Sequence, residues 1–246
     1  MALRDEQRRP LLLILLVVLP VYVIARSVAI TEATPQPVVL PAGEVIGSTM
    51  RDIHGAVMAG SVIAFVCGLV GVFVMQAAFQ ADQRLVIAGM RPGQVIAARL
   101  AVVLAASVLV VSVSALVTAV YFDPRSWLPF LSGLAFVGLI YAGLGALAGA
   151  VFDKLAATYL LLFLAMTDLL IVQNPMFGDG DPASWATLLP GYGPTQLMIV
   201  GAFSNSFRAT GELMLSLGWL TVVTGAALFV LRRAVAPERE HLEIEQ

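Results

Sequence analysis

The stretch Leu128 to Val151, LPFLSGLAFVGLIYAGLGALAGAV, decides the fold class. It carries no charged side chain, and as a helix rising about 1.5 Å per residue it extends about 36 Å. The hydrocarbon core of a bilayer is about 30 Å thick and leaves no backbone polar group a solvent partner. The stretch therefore reads as a membrane-spanning helix. Within it Gly145-Ala146-Leu147-Ala148-Gly149, flanked by Ala142 and Ala150, puts small residues on one face, where a second backbone can approach closely. That seam fits either a neighbouring helix of the same chain or a second protomer.

Five further windows of similar character lie outward from this one, near Leu11 to Ile30, His54 to Phe79, Val95 to Tyr121, Ala156 to Asn174 and Leu213 to Leu231. The expected fold is an all-α integral membrane protein of six transmembrane helices, residues 1–246 forming a single transmembrane domain. Composition agrees: 59% of the 246 residues are hydrophobic, 12% are charged and the mean hydropathy is +0.92. A soluble domain carries about 25% charged residues. The net charge of -2 and the lack of a basic tract give no footprint for nucleic acid. Cys67 is the single cysteine and His54 and His241 are the two histidines, so neither a disulfide nor a zinc cluster is indicated.

The charges set an orientation. Arg4, Arg8, Arg9, Arg84, Arg91, Arg99, Lys154, Arg232, Arg233 and Arg239 fall on one side of the six spans, and Arg26, Arg51, Arg125 and Arg208 on the other. Ten against four places both termini in the cytoplasm of a cell-membrane protein. A competing reading takes Arg8-Arg9, the apolar run from Leu11 and Ser27-Val28-Ala29 as a cleavable signal peptide, which leaves five spans. The length of the run and the even count favour a span.

Ala81 to Gln94 joins the second and third spans. Apolar Leu85, Val86, Ile87 and Met90 stand between Asp82, Arg84 and Arg91, and Pro92-Gly93 re-aims the chain. It reads either as a short interfacial helix that docks a soluble partner or as a loop whose arginines fix topology. Asp168 lies about 18 Å along the fifth helix, where a carboxylate needs partners or water. It is a candidate for lining a cargo or proton route, with Gln76 a weaker one; the alternative is a structural carboxylate bonded to a neighbouring hydroxyl or wetted near the outer interface with Gln173 and Asn174. Between the fifth and sixth spans, Phe177 to Pro182 is a polar turn whose Asp179 and Asp181 are too few for a calcium loop. Gln196 to Phe203 is apolar but too short to cross, so it is expected to re-enter the membrane or lie in its interface, with Trp185 and Tyr192 at headgroup level.

The second span, the loop into Met90-Arg91-Pro92-Gly93-Gln94-Val95-Ile96-Ala97-Ala98-Arg99-Leu100, the glycine-rich fourth span and Leu189-Pro190-Gly191-Tyr192 ahead of a short apolar run resemble the ABC type-2 permease family from about Ile53 onward. Small drug exporters, including fluoroquinolone export permeases, are the most similar in pattern. The resemblance implies a six-helix half-transporter, a cytoplasmic coupling helix over Asp82 to Arg91 (Asp82, Arg84, Leu85, Met90 and Arg91 facing the ATPase) and a re-entrant external segment over Leu189 to Phe203. The Glu-x-Gly-Thr stretch many relatives carry before the coupling segment is missing. No G-x-x-x-x-G-K-[ST] phosphate loop occurs, and the only lysine, Lys154, follows Asp153. ATP and magnesium are therefore expected on a separate ATP-binding subunit, with a second permease (a copy of this chain or a related one), membrane lipid and a small-molecule cargo as the other partners and no cofactor or catalytic residue in this chain. An ion-coupled secondary transporter is the rival of another class, although one acid and no clear repeat offer it little. An FtsX-like permease is suggested by Ala88-Gly89-Met90-Arg91, and an intramembrane enzyme by Ser107 or Ser112, neither with a histidine or second acid beside it.

Overall fold

The computed structural model describes residues 2–41, 43–87, 89–177 and 184–235, with side chains for 16–41, 43–77, 89–91, 93–177 and 184–233. Helix α1 (Ala2–Ile30) leads into a hairpin of β1 (Pro35–Val39) and β2 (Val45–Thr49), followed by α2 (Met50–Ile87), α3 (Pro92–Tyr121), α4 (Trp127–Val151), α5 (Lys154–Ala165), α6 (Tyr192–Phe203) and α7 (Thr210–Val235). Five stretches are long and apolar enough to cross a membrane: Met50–Ala77, Gly93–Tyr121, Trp127–Val151, Lys154–Val172 and Thr210–Arg233. Their outer faces expose Leu116, Val120, Leu128, Phe163 and Val222 at more than 60% each, a surface that suits lipid and not water. The chain is a multi-pass helical membrane protein.

Three features add to the sequence reading. Of the first span, the apolar part among the described side chains is Leu16–Ile30, and the helical backbone runs from Ala2. The helical architecture carries one short addition, a hairpin in which Pro35 pairs with Thr49 and Val39 with Val45. Pro35 and Pro37 bar a helix there, and Gly43 turns the chain at φ +77°. The stretch from Asp82 is not a separate helix: α2 continues unbroken to Ile87. Ala77, Ala78, Gln80, Ala81, Gln83, Arg84 and Leu85 are all strong helix formers, so nothing stops the helix at the change of polarity. It stops at Gly89, φ +99°, and α3 begins with Pro92 at its first position, which has no N–H to leave unpaired. Gly89→Ala is expected to cost about 1 kcal/mol, because only glycine adopts that φ freely, while Gly93→Ala, with open space around it, costs nothing. Thermal melts of the two purified variants check this.

The core is built around α2 and α4. The α2 window is 61% buried against 17% for the α7 window. Glycines set the distance between α2 and α4: a Cβ on Gly71 would sit 2.7 Å from Ala146 N, and one on Gly149 2.9 Å from Val72 O. The small-residue seam of α4 thus meets a helix of the same chain, and Gly145 packs on the Gly68 backbone. Helix α1 packs on α2 and α3, and α5 on α2 and α4. Local capping starts the helices: Thr49 and Asp52 bond reciprocally at the head of α2 (2.7 and 3.2 Å), and Asp153 Oδ1 accepts from Leu155 N and Ala156 N, both at 2.9 Å.

Candidate functional site

Helix α6 is the unusual element. It has 12 residues, and from Gly193 to Phe203 every one is buried. Two backbone bonds tie its last turn to the start of α4, Ser126 N to Gly201 O at 2.8 Å and Arg125 N to Ala202 O at 3.2 Å. Farther along, a Cβ on Gly133 would lie 2.6 Å from Pro194 O, and one on Gly60 2.8 Å from Met198 Cε. On the far side, a Cβ on Gly193 would lie 2.6 Å from Glu212 O of α7. Helix α6 therefore runs antiparallel to α4, and its N-terminus comes within reach of the Tyr141 side chain through Asp168. By helical rise Tyr141 is about 21 Å from the start of α4 and about 15 Å from its end. The N-terminus of α6 is thus deep within the helix bundle.

Asp168 sits at that N-terminus, 1% exposed. Its carboxylate accepts the Tyr141 hydroxyl at 2.6 Å, Gly191 N–H at 2.8 Å and the Gln173 amide at 3.2 Å. All three donors are neutral, and the positive end of the α6 dipole adds to them. Gln173 also donates to Ala186 O at 3.1 Å. The carboxylate is turned inward by a local irregularity: after Ala165 the α5 ladder widens into a π-helical segment, Met166–Val172. Gln173 N–H returns to Asp168 O at 2.8 Å, an i to i+5 bond. Gly191 has to be glycine, since a Cβ would stand 2.8 Å from both carboxylate oxygens.

One carboxylate thereby clasps α4, the end of α5 and the head of α6. This is the bonded geometry of the structural alternative weighed for Asp168, which the sequence framed without its partners. Tyr141 carries the one signal that could have found them: a buried phenol in an apolar helix needs a partner for its hydroxyl. Gln173 stood near Asp168 in the sequence as a polar neighbour, while Gly191 had no sequence signal for this role.

The other candidate residues lie apart from the clasp. Gln76 donates to Phe152 O at 3.0 Å and, with Lys154 Nζ 4.7 Å from the centre of the Phe73 ring, fastens the α4–α5 turn to α2. Gly145 and Gly149 belong to the α2–α4 seam. Arg99, counted among loop charges, is a buried residue of α3 that donates to Met75 O at 3.1 Å. Met90 and Arg91 are exposed in the α2–α3 elbow. Asp82, Arg84 and Leu85 follow the α2 backbone, and their side chains, like Asp179, Asp181, Arg239 and His241, lie outside the described residues. Comparison with family models, curated proteins and solved structures found no match.

Proposed function

We propose that the chain is the membrane-embedded permease subunit of an ATP-driven exporter of the ABC type-2 kind, moving a small apolar or amphipathic molecule. The observation that carries this reading is the α2–α3 elbow. Helix α2 continues past its apolar stretch, Met50–Ala77, by ten residues to Ile87, about 15 Å beyond the bilayer core. Gly89, at φ +99°, follows, and Met90 and Arg91 are exposed before α3 turns back. A rigid charged projection joined to two spans can transmit a push from a soluble partner, and Arg91, Lys154, Arg232 and Arg233 on the same end favour a cytoplasmic setting. In this reading an ATPase subunit seats on the elbow of each of two permease copies. Nucleotide-driven closure then biases the bundle between inward-open and outward-open states.

Pull-down from native membranes in mild detergent is the test, with an ATP-binding subunit expected near equal stoichiometry. Arg84→Glu/Arg91→Glu is expected to weaken that association at least tenfold, with the fold retained by thermal melt. Unchanged association in this variant would remove the elbow from the interface and end the proposal.

A second reading, an ion-coupled carrier, draws on the clasp. Discontinuous helices meeting an acid inside the bundle are a feature of secondary transporters. Gradient-driven transport in vesicles without ATP, lost in Asp168→Asn, would favour it over the first.

A further inference from the structure

We propose that the cavity beneath the β-hairpin is a binding site for a small amphipathic organic cation. It is an open cleft of about 600 Å³, within the range of small-molecule sites, at the bundle end opposite Lys154. Its walls come from four parts of the chain: both hairpin strands, the first turn of α2, the α3–α4 connection and the last turn of α6. Phe122 and Phe203 line it with their rings 5.8 Å apart and tilted, giving an apolar interior. Asp52, Asp123 and Arg125 supply the charge.

The balance of these groups selects the ligand. Asp52 spends one oxygen on the Thr49 hydroxyl, and neither Asp123 nor Arg125 has a side-chain partner among the described residues. Two carboxylates against one guanidinium leave the site net negative, so an anion is repelled. A neutral apolar molecule gains nothing here that the bilayer does not offer. A positive nitrogen on a flat apolar body gains both the carboxylates and the aromatic rings. The walls are set in advance by the bonds from Arg125 N and Ser126 N to α6 and from Arg51 Nε to Thr31 O at 2.9 Å, which lowers the ordering cost of binding.

The test uses the full chain in phosphatidylcholine nanodiscs without nucleotide or ion gradient, so it does not depend on either transport reading. Ethidium is the probe, read by fluorescence anisotropy against empty nanodiscs. Saturable binding is expected, weakened at least tenfold in Asp52→Asn/Asp123→Asn, with no binding of anionic fluorescein. Because Asp52 also caps α2, Asp123→Arg serves as the second variant: residue 123 is exposed, the melt is expected to match the parent, and binding is expected to be lost. Signal equal to that of empty nanodiscs, unchanged affinity in both variants, or fluorescein binding as tightly as ethidium would each overturn the proposal.

Discussion

Gly145→Val is expected to be the most damaging single substitution in the chain, lowering stability by about 3 kcal/mol or more and the melting temperature in detergent by about 10 °C. A Cβ on Gly145 meets the backbone of Gly68, with Gly68 C at 2.8 Å and Cα at 3.0 Å. A side-chain tip could rotate away, but the main chain of a helix anchored along its length cannot. Relief requires α2 and α4 to separate, and α2 carries α1, α3 and α5 against it. Gly218→Val and Gly225→Val on α7, where nothing lies within 4 Å, are the controls and are expected to leave the melt within about 1 °C. A Gly145→Val protein that melts with these controls would show that the seam is looser than its spacing implies.

Asp168→Ala comes second, with an expected loss of about 3 kcal/mol. It strands two buried donors, the Tyr141 hydroxyl and the Gly191 N–H, each costing about 1–3 kcal/mol when unpaired, and takes one of two acceptors from the Gln173 amide. Tyr141→Phe removes only one donor and is expected to cost about 1.5 kcal/mol. The two residues share a bond, so the double variant should lose less than the sum by about 1 kcal/mol. Equilibrium unfolding of the four proteins gives that coupling directly. Strict additivity would mean that the 2.6 Å contact contributes nothing to the folded state.

The spans were legible because one physical demand dominates them. A helix in lipid has to be apolar over about 20 residues, and α3 and α4 begin and end within three residues of the windows read from the sequence. The glycine run of α4 announced a close approach, yet its counterpart, Gly68 and Gly71 on α2, was hidden because two glycines three apart carry no signal until their partner is known. The hairpin was missed for a related reason. Five-residue strands between two prolines and a glycine read as loop, and only the packing of Val38 and Leu40 into the core makes them an element. The polarity change near Asp82 misled in the opposite direction. Water tolerates a helix as well as lipid does, so the end of the apolar stretch did not end α2. For the site, Asp168 stood out as a charge in a span with Gln173 five residues on, while its other two partners come from positions 27 residues before it and 23 after it, a distance no local pattern reports.

The enclosure of α6 also constrains how the chain is made. Its shielding on one side comes from α4, already synthesised, but on the other from α7, which follows it. With 12 residues it is too short to partition across the bilayer alone. During biogenesis it must wait, half-covered beside α4, until α7 arrives and closes over Gly193. Nascent chains released before Thr210 should therefore be the ones that quality-control proteases recognise.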